Sequence, residues 1–298
     1  PQKQRSSLLH SCMGIFGNNN NRHISANCIK QIKSPKMNRP KKSTDVIEIY
    51  NKKYFLNQVD GFREYSSFSG KYEELFERYQ KNIELLNLEN HHILLEYGCG
   101  RGEICIFHTK NGGKATGVDY SSDAIELAQK KAADLNISVN FLVSSFSEFP
   151  IKENSYDRIL ASEFIEHISK GEGADFLKIA RQALKPGGKL LIFTFPNTIQ
   201  RKFGYPILRI AYFIFGKNLP KTQPDTTSEH YKLYHLNEQN FFALRNSALK
   251  AGFTKFKIGY DIPYSKESGI FKNAIKKIIH HSVLRHIFFS NLYLLAEK

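Results

Sequence analysis

The run Ile93-Leu94-Leu95-Glu96-Tyr97-Gly98-Cys99-Gly100-Arg101-Gly102 decides the fold. Its first five residues are an apolar stretch of strand length, and the alternate glycines that follow demand a tight turn. Glu103 to Lys110 can then be helical. Strand, glycine turn and helix form the layout in which backbone N–H groups approach a nucleotide.

Working outward, Tyr72, Leu75, Phe76, Tyr79, Ile83 and Leu86 recur at helical spacing upstream, predicting an amphipathic helix from Lys71 that packs on a sheet. Downstream, a strand over Ala115 to Val118 ends in Asp119, 21 residues after Gly98, where a carboxylate can accept both ribose hydroxyls. A helix over Ser122 to Asp134, strands near Val139 to Val143 and at Tyr156 to Ala161, a helix near Asp175 to Leu184, the turn Lys185-Pro186-Gly187-Gly188 and a strand Leu190 to Phe195 continue the alternation. Such alternation predicts an α/β, doubly wound parallel sheet with its binding edge at the strand C-termini.

The loop discriminates among nucleotides. Its third glycine is displaced by one position from the dinucleotide fingerprint, and Glu96 before the turn would repel a pyrophosphate but attract an ammonium group. No Gly-Lys-Ser/Thr follows, which excludes a P-loop.

Four motifs in order resemble the class I S-adenosylmethionine-dependent methyltransferases: the Glu96/Gly98/Gly100/Gly102 loop, Gly117 to Ser121, Tyr156 to Ile159 with Ser162 to His167, and Leu184 to Gly188. The Glu-x-x-Glu-His segment and Pro196-Asn197 are most similar to the small-molecule branch that includes the ubiquinone-pathway O-methyltransferases. The resemblance implies a Rossmann-like sheet of seven strands, mostly parallel with an antiparallel final strand and helices on both faces; Phe253 to Gly259 and Asn291 to Ala296 read as its last two strands. It implies S-adenosyl-L-methionine as cofactor, with Glu96, Gly98, Cys99 and Gly100 around the methionyl portion, Asp119 on the ribose, Tyr120 against the adenine, and Ser162 beside them. Many relatives carry an Asp where Ser145 stands; a hydroxyl and the Phe146 N–H then take its place at the adenine, and a non-catalytic protein of this fold stays an alternative.

Methyl transfer from a sulfonium is an in-line displacement, so alignment and exclusion of water come first, and a base is needed only for a protonated acceptor. His167 is the candidate base, or else a residue that orients the loop. Glu163, Glu166 and His167 fall at i, i+3 and i+4, so one helical face could present all three, although capping and anchoring is the preferred reading and no metal is expected. Ala161-Ser162-Glu163-Phe164 lacks the Asn/Asp-Pro-Pro-aromatic run of nucleobase amino-methyltransferases, and Cys99 and Cys105 sit on the cofactor side rather than beside an acceptor. A small, lipophilic hydroxyl compound is the expected acceptor.

The formal charge of +15 is uneven: residues 1–45 hold 9 Lys/Arg against 1 acid, residues 46–195 hold 18 against 21, and residues 196–298 hold 16 against 6. An ordinary core flanked by basic ends argues against a protein coated in nucleic acid, leaving RNA methylation as the rival reading, and for segments that meet an anionic surface. Residues 1–45 read as a disordered basic leader without a secretory core, and Met37 as the natural start. The domain then spans 46–298, with insertions at about 196–236 and 262–289. The first insertion carries Ile207 to Phe215 flanked by Arg201, Lys202, Lys217 and Lys221, which fits either a lid or a helix lying in an anionic membrane interface. From Ile270 to His280 the second shows an apolar and a cationic face. Tyr231, Tyr234 and His235 precede a helix expected over Asn237 to Ala251 and are candidates for the acceptor pocket. The four cysteines match no zinc or disulfide spacing, so free thiols and a cytoplasmic setting, peripheral to a membrane, are expected.

Overall fold

The computed structural model describes residues 50–223, 231, 235–261 and 278–298. The leader expected over 1–45, Tyr234 and the amphipathic pattern at 270–277 lie outside the described residues. In chain order the elements are α1 (Lys52–Asn57), α2 (Phe62–Ser67), a 3-10 turn (Tyr72–Glu74), α3 (Glu77–Leu86), β1 (Ile93–Tyr97), α4 (Glu103–Lys110), β2 (Lys114–Asp119), α5 (Ser122–Asp134), β3 (Asn140–Val143), β4 (Tyr156–Ser162), α6 (Lys170–Ala183), β5 (Leu184–Thr194), a π turn (Gln200–Gly204), α7 (Tyr205–Ile214), α8 (Phe241–Lys250), β6 (Lys255–Tyr260), α9 (Arg285–Phe288) and β7 (Leu292–Glu297).

The strands form one seven-stranded sheet in the order β3-β2-β1-β4-β5-β7-β6. The β3-β2-β1-β4-β5 strands are parallel, and β7 lies antiparallel between β5 and β6, so the expected Rossmann-like seven-stranded sheet is present. The chain winds from β1 out to β3, then returns to β4 on the other side. The crevice above β1 and β4 is therefore the topological switch point where such sheets bind ligands.

Alternate strand residues separate the faces. Leu95, Tyr97, Ile159 and Ile192 pack with Phe176, Leu177 and Ala180 of α6 and Leu244 of α8. Leu94, Leu160, Leu191 and Phe193 pack on Ile83 and Leu86 of α3, Ile104 and Ile106 of α4, and Ile125 of α5. Each fully buried aliphatic or phenyl group of this kind contributes about 1.5–3 kcal/mol, which fixes the strand register and hence the residues at the strand ends.

Several boundaries differ from the sequence reading. The helix expected from Lys71 starts at Glu77, because Ser69 captures the Glu74 carboxylate through both N–H and hydroxyl and Leu75 turns extended. Helix α6 begins at Lys170, five residues before the expected Asp175, behind a capping box in which Ser169 and Glu172 bond reciprocally. Lys185 to Gly188 lies within β5 as an irregularity, where pairing shifts between Tyr156 and Arg158. The helix expected from Asn237 starts at Phe241, with Asn240 accepting from the Ala243 N–H.

Candidate active site

The Gly98, Gly100 and Gly102 φ angles are +67, +52 and +77°. All three lie in the left-handed region that favours glycine. At Gly102 a Cβ would also come within 2.5 Å of the Phe141 ring. The Gly98 and Cys99 N–H groups both donate to the Val118 carbonyl, at 2.8 and 3.2 Å, tying the loop to the end of β2. Asp119, the next residue, accepts from the Gly100 N–H at 3.0 Å and the Ser121 N–H at 2.9 Å, one bond to each carboxylate oxygen. Each oxygen keeps acceptor capacity for a diol. Burial pushes the Asp119 pKa up to about 6. Glu96 is buried beneath the loop, accepts from the Cys105 Sγ–H at 3.0 Å, and is pushed by burial up to about 8. Cys99 and Cys105 are buried free thiols.

Above these groups opens a cleft of about 830 Å³, counting its mouth, walled by Glu96, Gly98, Cys99, Gly100, Asp119 and Tyr120 on one side and Ser162, Glu163, Phe164 and His167 on the other. A smaller, shallow hollow, about 290 Å³ counting the open space at its mouth, shares Gly98, Asp119, Tyr120 and Phe164 with it and extends to Ser145 and Phe146. There the Ser145 hydroxyl donates to Glu148 at 2.9 Å. Every residue expected to meet the cofactor therefore borders one of two adjoining hollows.

On the β4 side the expected helical face is absent. Glu163 sits at φ +52° and residues 163–169 turn without forming a helix, so the three side chains diverge. Glu163 lines the cleft and pairs with Arg78, which also holds Asp60 at 3.1 Å; burial raises its pKa against the pull of that guanidinium. Glu166 is fully buried, accepts from the Thr194 hydroxyl at 2.8 Å and is pushed up to about 8 by burial and Glu163. It anchors the core and is not among the residues that line the cleft. His167 does line the cleft, with Nδ1 at 3.0 Å from the Tyr50 hydroxyl. Ser162 accepts from the Asn82 amide at 2.9 Å. Among the described residues no three His, Cys, Asp or Glu side chains gather as a cation site.

Of the acceptor candidates, His235 lies edge-on to His167 with ring centroids 5.0 Å apart and is stacked on Tyr231 at 3.9 Å. Burial, together with His167 and Arg201, holds its imidazole far below the usual range. The Tyr231 hydroxyl donates to Glu238 at 2.7 Å, and Glu238 pairs with Arg201. The two aromatic candidates thus border the His167 side without lining the cleft itself. Helix α7 leaves Phe213, Ile214 and Phe215 71%, 73% and 80% exposed, and none of Ile207 to Phe215 lines the cleft.

The strap of residues 50–68 was not singled out from sequence. Tyr50, Tyr54, Phe55 and Val59 line the cleft. Arg101, within the glycine loop itself, holds the strap by donating to the Phe55 and Asp60 carbonyls, both at 2.9 Å, and pairs with Glu103 at 2.8 Å. The spacing of Tyr50, Tyr54 and Phe55 behind the N-cap Asn51 was the available signal.

Comparison with known proteins agrees with this geometry. Residues 94–188 match the family model described as a methyltransferase domain. A ubiquinone biosynthesis O-methyltransferase of Hydrogenovibrio crunogenus is 30% identical over 151 residues, covering 50% of this chain and 59% of that protein. The protein of the same name from Rickettsia akari is 26% identical over 195 residues, covering 64% and 73%. The chain thus spans about three-fifths of the Hydrogenovibrio protein's length. In structure the chain is similar to Haemonchus contortus phosphoethanolamine N-methyltransferase 2 bound to phosphomonomethylethanolamine and S-adenosylhomocysteine, with a TM-score of 0.53, 16% identity, and coverage of 83% of this chain and 59% of that one. That likeness concerns the fold.

Proposed function

We propose that this chain is an S-adenosylmethionine-dependent methyltransferase that methylates a hydroxyl oxygen of a small, lipophilic acceptor at an anionic membrane surface. One observation carries the reading: Glu96 and Asp119, at adjacent strand ends, bracket a glycine loop that closes the floor of a cleft whose far wall ends in His167. The residues fit the cofactor. Two buried carboxyls at adjacent strand ends suit a ligand that carries an ammonium group and a diol, and glycines at Gly98 and Gly100 let it approach the backbone. When bound, the cofactor supplies an electrophilic methyl group on a sulfonium. Asp119 holds the ribose, Glu96 the ammonium end, Tyr120, Ser145 and Phe146 the adenine, and the strap excludes water. His167 takes the acceptor's proton. Oxygen as the acceptor atom and a small molecule as its carrier are supported by the names of the relatives and by the absence of an acceptor-side thiol among the described residues.

The membrane part of the reading is supported by the exposed apolar face of α7 beside Lys202, Arg209 and Lys217. No helix among the described residues is long and apolar enough to cross a membrane. The experiment is transfer of a labelled methyl group from S-adenosylmethionine into a cell extract, fractionated into lipid, RNA, protein and small molecules. Label in the lipid or small-molecule fraction is expected. Label confined to RNA or protein overturns the acceptor class, and failure of calorimetric titration to detect S-adenosylmethionine overturns the activity.

A further inference from the structure

The strap brings one side chain onto the catalytic wall, and we infer that Tyr50 is a positioning residue for His167, engaging Nδ1 so that Nε2 is the atom that receives the acceptor's proton. The inference rests on the methyltransferase reading above.

Tyr50 is built in rather than draped. It is buried, its ring meets Tyr54 and Tyr120 edge-on at 5.1 and 5.4 Å, and its carbonyl accepts from the Ser121 hydroxyl at 2.5 Å. Ser121 is also the residue whose N–H holds Asp119, so Tyr50 is anchored on the turn that presents the ribose carboxylate. From there its hydroxyl reaches His167 Nδ1 at 3.0 Å, across the mouth of the cleft. A base whose second nitrogen is held by a fixed oxygen has its ring plane and tautomer set in advance. With the Nδ1–H donating to the Tyr50 oxygen, the tautomer this inference assigns, the lone pair lies on Nε2. During transfer the acceptor oxygen forms the new C–O bond, the methyl carbon's bond to sulfur breaks with its electron pair staying on sulfur, and the acceptor's proton passes to Nε2. The imidazolium that results keeps its bond to Tyr50.

The other titratable groups around His167 come from several elements. His235 lies edge-on from the segment before α8, Glu163 and Glu166 belong to its own loop, and Glu96 and Asp119 face it across the cleft. Glu163 is engaged by Arg78 and Glu166 by Thr194. Tyr50, whose hydroxyl is within hydrogen-bond distance of Nδ1, is placed to orient the ring as well as to tune its field.

The test combines Tyr50→Phe and His167→Ala with nitrogen-15 NMR of the imidazoles in cofactor-free protein. In the unmutated chain the neutral His167 ring is expected as the Nδ1–H tautomer; finding the Nε2–H tautomer overturns the inference without any variant. Tyr50→Phe is expected to lower kcat about tenfold, to leave the S-adenosylmethionine Kd within about twofold, and to move both the His167 titration and the acid limb of kcat/KM to lower pH, because the acceptor oxygen that favours the imidazolium is gone. Unchanged titration and pH profile reduce Tyr50 to packing and overturn the inference, as does a Kd that rises in step with the activity loss. His167→Ala that keeps the activity of the unmutated enzyme also overturns it. An unmutated chain that transfers no methyl group overturns the activity instead, while the NMR titration still reports on the Tyr50–His167 contact.

Discussion

Glu96 is the residue whose chemistry depends most on what occupies the cleft. Its carboxyl is held up to about 8 by burial, against an ordinary 4.5. Between those values the folded chain keeps a proton that the unfolded chain has lost, so this group's effect on stability worsens as pH rises through that window. A cation beside Glu96 reverses the balance by drawing its pKa down, and binding then expels the proton. Affinity for S-adenosylmethionine should therefore rise with pH, by at most tenfold per unit below about 8, and turn over above it as the cofactor's own ammonium loses its proton. Calorimetry at pH 7 in buffers of different ionisation heat should register proton release approaching one per cofactor, and Glu96→Gln should bind more weakly with the Glu96 part of that release abolished. Asp119, held at about 6, adds a smaller release at lower pH. A pH-independent Kd in the unmutated chain would contradict this account.

Among elements, the strap shows both what sequence conveys and what it does not. The β1-loop-α4 unit was legible because its constraints are local: three positive φ angles call for glycine whatever surrounds them. Asp119 was legible because the strand length fixes its distance from the loop. The strap was hidden because its fastening uses main-chain carbonyls, Phe55 and Asp60, that lie 46 and 41 residues from Arg101 and carry no residue-type signature. Glu163, Glu166 and His167 misled for the opposite reason. Their spacing satisfies a helix, but the left-handed Glu163 sends each side chain to a different partner, Arg78, Thr194 or Tyr50. Arg101 makes the strap's role measurable. Arg101→Ala removes the partner of buried Glu103 and the donors of two carbonyls, so denaturant unfolding should show a loss of about 3–5 kcal/mol. Limited proteolysis should then cut within 50–68 before it reaches the sheet. Resistance equal to that of the unmutated chain would show that the strap holds without Arg101, by its aromatic contacts and its bonds to Ser121 and Arg78.

At the scale of the whole molecule, the charge of +15 is resolved by position: residues 46–195, which build the cofactor side, carry 18 Lys/Arg against 21 acids, and residues 196–298 carry 16 against 6. The basic third includes α7, which follows β5 in the chain and contributes no residue to the lining of the cleft. Phe203, Ile207 and Ile210 continue the exposed apolar surface of Phe213 to Phe215, and Gly204 meets the Ile287 carbonyl so closely that α9 abuts the same turn, next to exposed Val283 and Leu284. Exposed apolar side chains beside cations suit contact with an anionic bilayer, the surface from which the proposed lipophilic acceptor would arrive. The chain should co-sediment with phosphatidylcholine vesicles containing phosphatidylglycerol, bind less to pure phosphatidylcholine, and release as salt rises. Ile210→Asp with Phe213→Asp withdraws two apolar groups and adds two anions, so the vesicle partition coefficient should fall at least tenfold. Activity on a water-soluble acceptor should persist, since neither side chain lines the cleft. Equal binding to neutral and anionic vesicles, or binding that survives the double substitution, would remove α7 as the docking face and return the basic third to the RNA reading, which retention of RNA at physiological salt would then have to support.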